Sequence, residues 1–449
     1  MLFQIDLLMM IRQPPPKTLG CNMPENKPKI GVVVSTALSI TIIVGAGLLV
    51  LPGLSFAKAG KYGYVPWILV AIAMLPLLHI FAFFGRTYPS AGGVVGYVRA
   101  SAGNRWATVC ETIILGTFTL GVPAIALIGS QYLNQSYPEI GITTIALATI
   151  TIAFIAGMIG LRVSGALQTG IAVLIVAGLV IIGLGFLSTA SLTNHSEEFE
   201  IIDINVVKNI LLSIPLILFA FTGWEMTAFL AEDMENPKRD MPTSIWASFV
   251  IVTGLYVFVA WLVASYGESN SNWQLAPVTQ MAKGWLGNDG SKWVGIIATL
   301  LVVANVVAAF FSVSRAMFSA GRDGILPTIL SKTNRKQEPI FAMLVTYAIF
   351  FIVIVSNHFG FLTVDNLLQL AGQNFFVLYL LAAVGYWQLH KGRFIQRIIA
   401  VTAIFLVLSM ILLFSLTGLL YCLSLTGFGL WLGRAQKQHQ PPQPDPRAA

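Results

Sequence analysis

The chain has 449 residues, of which 56 % are hydrophobic and only 10 % charged, and its mean hydropathy is +0.79. Soluble domains carry roughly 25 % charged residues, so the composition excludes a soluble globular protein and points to one embedded in a bilayer. The formal net charge of +7 is accounted for by basic loops facing anionic lipid rather than by nucleic acid, and three scattered cysteines exclude a disulfide framework or a cysteine metal site.

Residues 1–30 read as a cytoplasmic N-terminal segment containing Pro14-Pro15-Pro16, without the apolar core and small-residue site of a signal peptide, and Met23 reads as an alternative start. An apolar run of roughly 20 residues is needed to cross a hydrocarbon core of about 30 Å. Such runs are expected at 31–54, 64–85, 107–133, 141–160, 165–188, 207–231, 246–266, 293–318, 340–356, 364–388, 396–414 and 416–433. The loop at 266–292 is too short to bury a core of its own, and the proline-rich tail, 434–449, is expected to be disordered. With the N-terminus inside, 21 of the 26 Lys and Arg residues fall in inner segments and 5 in outer ones. That bias places both termini in the cytoplasm.

Span 1 contains Gly45-Ala46-Gly47, and each glycine costs a helix about 1 kcal/mol relative to alanine. One such pair is also explained by close helix packing through small residues. Recurrence in span 6, at Phe219-Ala220-Phe221-Thr222-Gly223-Trp224-Glu225, favours two unwound segments at membrane depth. There the freed N–H and C=O groups need a partner, and a substrate can supply it. The N–H groups that open the second half of span 1 have the dipole sign for a carboxylate. Glu225 is an acid inside a membrane helix and marks a functional position, either a clamp or a proton-sensitive switch. Phe219 and Phe221 lie on different faces, so one of them, Phe219, is the expected gate. Spans 1–5 (residues 31–188) and 6–10 (residues 207–388) each open on a broken helix. An odd number of spans per half inverts the second relative to the first, and 396–433 forms an extra hairpin at the periphery or in a dimer contact.

Four motifs occur in order. They are Gly45-Ala46-Gly47-Leu48-Leu49, then Tyr88-Pro89-Ser90-Ala91-Gly92-Gly93, then Phe219 to Glu225 followed by Glu232, Asn236-Pro237-Lys238-Arg239-Asp240 and Pro242, and finally Ser314-Arg315 with Gly321-Arg322-Asp323-Gly324-Ile325-Leu326-Pro327. From about residue 28 to 430, the chain resembles the amino acid-polyamine-organocation (APC) superfamily of permeases. Leu167-Gln168-Thr169 and Asn374 to Leu381 make it most similar, within that superfamily, to bacterial exporters of methionine and branched-chain amino acids. The resemblance implies an all-α integral membrane protein with a LeuT-type 5+5 inverted repeat, about twelve transmembrane helices and discontinuous spans 1 and 6. It also implies an amino acid substrate whose carboxylate lies on the Gly45 to Gly47 amides and whose ammonium meets carbonyls around Phe219 to Thr222.

Two positions depart from that pattern. Phe83 stands where relatives usually carry a glutamate, and Gly165 to Leu187 lacks the basic residue that some proton-coupled relatives place in span 5. Near the breaks lie Thr41, Ile43, Ala46, Phe219, Ala220, Asn305 and Asn374, with no basic residue and no acid but Glu225. A neutral, apolar amino acid fits such a lining. The expected function is therefore secondary active transport of neutral hydrophobic amino acids of the methionine, leucine, isoleucine and valine class. Transport runs outward by alternating access, with no cofactor and the proton as the expected coupling ion. The protein would sit in a bacterial inner membrane as a monomer or homodimer. Ser312 and Ser314 are weak sodium-site candidates, and no other metal site is expected. The competing readings are an amino acid or polyamine uptake permease or exchanger, and, from another class, an intramembrane enzyme. His79, His195, His358, His390 and His439 are too scattered for the latter.

Overall fold

The computed structural model describes residues 30–44, 46–88, 93–159, 165–189, 203–224, 234–268, 273–274, 276–322, 324–334, 338–390, 392–412 and 415–437. Gly45, Pro89 to Gly92, Glu225, Glu232 and Asp323 lie outside them, as do residues 1–29 and 438–449.

The described chain is helical throughout: α1 (Val32–Ile43), α2 (Ala46–Ala59), α3 (Val65–Thr87), α4 (Gly93–Ala102), α5 (Asn104–Ser136), α6 (Ile142–Ile159), α7 (Gly165–Thr189), α8 (Ile204–Leu218), α9 (Pro237–Tyr266), α10 (Pro277–Arg322), α11 (Ile340–His358), α12 (Val364–Leu389), α13 (Phe394–Ile411) and α14 (Leu416–Lys437). Among the described residues, eleven helices are individually long and apolar enough to cross a bilayer, and twelve spans result when α1 and α2 are taken as one bent crossing. Among the described residues the sole β feature is a parallel bridge between Ile30 and Met234. There the Glu235 N–H donates to the Ile30 carbonyl at 3.0 Å, fastening the approach to span 1 onto the segment that follows span 6.

The two expected interruptions are present. α1 ends where Val44 leaves helical geometry (φ −76°, ψ 74°), and the crossing continues at a 46° bend. α8 runs into a single 3-10 turn, Phe219–Phe221, after which Thr222 is extended (φ −91°, ψ 160°) and Gly223 takes φ +116°. A residue with a side chain rarely adopts that φ.

α5 is the axis of the bundle. Of its apolar stretch 78 % is buried, against 17 % for α13 and 22 % for α14, so the last two spans stand at the rim with lipid-facing sides. α14 nonetheless keeps one face tight on α5, because Gly116 and Gly429 carry no side chain. A Cβ at Gly116 would lie 2.5 Å from Leu425 Cδ1, and one at Gly429 would lie 2.7 Å from Val109 Cα. Gly129 does the same between α5 and α10, where a Cβ would sit 2.3 Å from Val302 Cγ1.

Three features differ from the reading of apolar runs. α9 begins at Pro237, nine residues before the expected start at 246. Proline suits the first turn of a helix, and the Asp240 carboxylate accepts the Asn236 N–H at 3.0 Å. The expected loop at 266–292 is partly helical, because α10 starts at Pro277 and bends at Gly287 (φ 70°, ψ −158°) before crossing. α4 was not foreseen at all, since its run Gly-Val-Val-Gly-Tyr-Val-Arg-Ala-Ser-Ala is too short and too mixed to register as a span. It is held by Tyr97, which stacks on Phe84 of α3 at 5.1 Å.

A candidate substrate site between the two breaks

The breaks of spans 1 and 6 face each other in direct contact. A Cβ on Gly47 would lie 3.4 Å from Ala220 Cα, and one on Gly223 would lie 3.3 Å from Ile43 Cγ1. Between them and α5, α10 and α12 is a cavity of about 80 Å³. A buried water needs roughly 10–15 Å³ on the same measure, so the space holds a small solute or several waters.

The freed backbone is largely satisfied by side chains from neighbouring spans. Asn305 of α10 donates through Nδ2 to the carbonyls of Thr41 at 2.9 Å and Ile42 at 3.3 Å. The hydroxyl of Tyr256, a fully buried residue of α9, lies 2.9 Å from the Ile43 carbonyl and 3.0 Å from the Ala220 carbonyl. One phenol therefore spans both breaks. Its ring is fixed by Trp67 at 5.1 Å and Phe221 at 5.4 Å. Phe219 O accepts the N–H and the hydroxyl of Thr222 at 3.2 and 2.8 Å. These contacts meet the demand that broken helices satisfy their backbone within the membrane.

Of the residues expected at the site, Ile43, Gly47, Phe219, Ala220, Thr222, Gly223, Asn305 and Ser312 line the cavity. Thr41 stands behind it, contributing its carbonyl to Asn305 while its hydroxyl donates to Ala37 O at 2.8 Å. Phe221 points into the core against Trp67 and Tyr256, whereas Phe219 faces the cavity and packs near Gly372 of α12. Asn374 is turned away: its Oδ1 accepts the thiol of Cys422 on α14 at 2.8 Å. Ser314 is fully buried and directed at Thr346 Oγ1, 3.4 Å away, while Ser312, on the opposite side of the same helix, lines the cavity. The two serines thus do not converge on one point. Ala46 opens α2, and Gly45 and Glu225 lie outside the described residues.

Several lining residues were not foreseen. Thr117, Phe118, Gly121, Val122 and Ile125 come from α5, and Phe375 from α12. α5 carries apolar residues around its whole circumference, with polar ones scattered among them, so no periodic stripe singles out its cavity face; the Gly116-Thr117 and Gly121 interruptions are the signal that was available. Tyr256 sits within an apolar run, where an aromatic reads as packing.

Among the described residues, no charged side chain lines this cavity. An all-helical membrane bundle that encloses a small, uncharged cavity between two broken helices is a multi-pass carrier of small molecules. Comparison with known proteins gives its family. The family model described as amino acid permease matches residues 30–434, and the chain belongs to that family, within the APC superfamily. It is 26 % identical over 429 residues to the uncharacterized amino acid permease YecA of Bacillus subtilis, covering 93 % of this chain and 98 % of that one. It is 26 % identical over 417 residues to the L-methionine/branched-chain amino acid exporter YjeH of Escherichia coli, covering 90 % and 96 %. It is 24 % identical over 333 residues to the branched-chain amino acid permease BcaP of B. subtilis, covering 70 % and 71 %. The protein is thus a membrane permease and not an enzyme.

Proposed function

We propose that this permease carries neutral, apolar amino acids of the methionine, leucine, isoleucine and valine class, and that it exports them from the cytoplasm. The observation that carries the substrate class is the cavity itself. Its wall is uncharged and mostly apolar, with Ile42, Ile43, Phe118, Val122, Phe219 and Phe375 beside the polar edges of the two breaks. Among the described residues, a cationic side chain would find no lining carboxylate there, and an anionic one no lining Arg or Lys; burying either charge unpaired is costly. A zwitterionic backbone can be met by helix-end dipoles and neutral polar groups at the breaks, with no charged side chain required.

In this reading, the substrate carboxylate lies toward the N–H groups that open α2 at Gly47. Phe219 closes over the side chain, and spans 1 and 6 switch the site between the two membrane sides. Outward direction is supported by the full-length similarity to YjeH, and the inside bias of Lys and Arg supports a cytoplasmic position for both termini. Coupling to protons, with Glu225 as the acid, belongs to the same proposal. The test is overexpression in bacterial cells fed methionine- or leucine-containing dipeptides, followed by assay of free amino acids on both sides. The expected outcome is a lowered internal pool and faster external accumulation of the hydrophobic amino acid. Internal pools that stay unchanged for every hydrophobic amino acid contradict export.

A further inference from the structure

We infer that Asn305 receives the substrate's α-ammonium on its Oδ1, and that its amide is locked in this orientation by the broken backbone of span 1. This assignment rests on the amino acid reading above. A carboxamide has two donor hydrogens and one acceptor oxygen. Both hydrogens of Asn305 are engaged, by Thr41 O at 2.9 Å and Ile42 O at 3.3 Å. Turning the amide over would set Oδ1 against two carbonyl oxygens, acceptor against acceptor, so the alternative orientation is excluded. Oδ1 is not sealed off, and it takes no hydrogen bond from any described residue. Asn305 itself lines the cavity.

The other polar side chains of the lining share this polarity. The hydroxyls of Thr117, Thr222 and Ser312 each donate their one hydrogen to their own chain, to Ile113 O at 2.7 Å, Phe219 O at 2.8 Å and Ala308 O at 3.1 Å. Every polar side chain of the lining therefore presents acceptors, which suits an ammonium with three N–H groups and repels a carboxylate. Break carbonyls are less available than they are in a bare interruption. Ile43 O and Ala220 O share the Tyr256 hydroxyl, and Phe219 O already accepts two bonds from Thr222. Asn305 and Ser312 lie two helical turns apart on one face, about 10 Å along the axis, and it is Asn305 that sits level with the span 1 break.

The test compares two ligands that differ only at the α-nitrogen. Uptake of labelled leucine into proteoliposomes containing the full chain is competed by leucine and by 2-hydroxy-4-methylpentanoate, in which a hydroxyl replaces the ammonium. The ratio of the two inhibition constants measures ammonium recognition; a merely structural defect weakens both ligands alike. Asn305→Leu is expected to lower the preference for leucine about ten- to hundredfold, the range of one hydrogen bond to a charged group. Asn305→Asp keeps an oxygen toward the cavity, and its second oxygen sits against Thr41 O and Ile42 O only as the protonated acid, which restores one of the two donors; it is expected to keep most of the preference. An unchanged ratio in Asn305→Leu, or a loss in Asn305→Asp as large as that in Asn305→Leu, overturns the assignment. If Asn305→Leu does not insert, Asn305→Asp decides alone: a kept ratio supports the assignment and a lost one overturns it. Wild-type protein that takes up no neutral amino acid overturns the amino acid reading itself, and this assignment with it.

Discussion

The smallest groups at the breaks have the largest predicted effects. At Gly47 a Cβ fits at an ordinary 3.4 Å from Ala220, so Gly47→Ala is expected to insert and to retain part of its transport. Gly47→Leu adds three further carbons toward span 6 and the proposed carboxylate position; it is expected to insert and to abolish uptake into proteoliposomes. Wild-type rates in Gly47→Leu would place the carboxylate elsewhere. Tyr256→Phe keeps the ring packing with Trp67 and Phe221 but removes the shared donor from Ile43 O and Ala220 O. Leaving buried carbonyls without it costs about 1–3 kcal/mol. The expected readouts are a lower unfolding temperature in detergent and weaker leucine binding, and a protein as stable as wild type would show that the bridge is dispensable.

At the scale of elements, close approach through glycine sets the bundle. Gly129→Val would drive a branched side chain into Val302, where even a Cβ comes within 2.3 Å. It is expected to reduce the yield of folded protein on size-exclusion chromatography by separating α5 from α10, whereas the same substitution at Gly170, where a Cβ meets nothing within 4 Å, is expected to be neutral. Elements were legible in the sequence to the extent that they are long apolar runs, because bilayer thickness alone dictates those. The breaks were legible because two glycines within three residues, and then Thr222-Gly223 in span 6, contradict a continuous helix. α4 and the helical start of α10 were not, since each is stabilised by contacts such as Tyr97 on Phe84 that no local pattern announces. The site divides in the same way: Asn305 stood out as an amide in an apolar run. Asn374 did too, and the structure turns it toward Cys422, because sequence reports polarity and not which face of an all-apolar helix points inward.

For the whole molecule, the distribution of Lys and Arg makes a topological prediction. On that prediction Phe361, 79 % exposed between α11 and α12, lies in an outer loop, and Lys332, between α10 and α11, in an inner one. In intact cells a membrane-impermeant maleimide should label Phe361→Cys and leave Lys332→Cys unlabelled until the membrane is opened; the reverse pattern would invert the orientation and exchange the two faces of the proposed cycle. The central claim is that the uncharged cavity between the two breaks binds a neutral, apolar amino acid. Equilibrium binding of labelled leucine to the purified full chain, competed by methionine, lysine and glutamate, tests it most directly. The account predicts saturable leucine binding that methionine displaces, that lysine and glutamate do not, and that Gly47→Leu eliminates. Displacement by lysine or glutamate as effective as that by methionine, or leucine binding undiminished in Gly47→Leu, would contradict it.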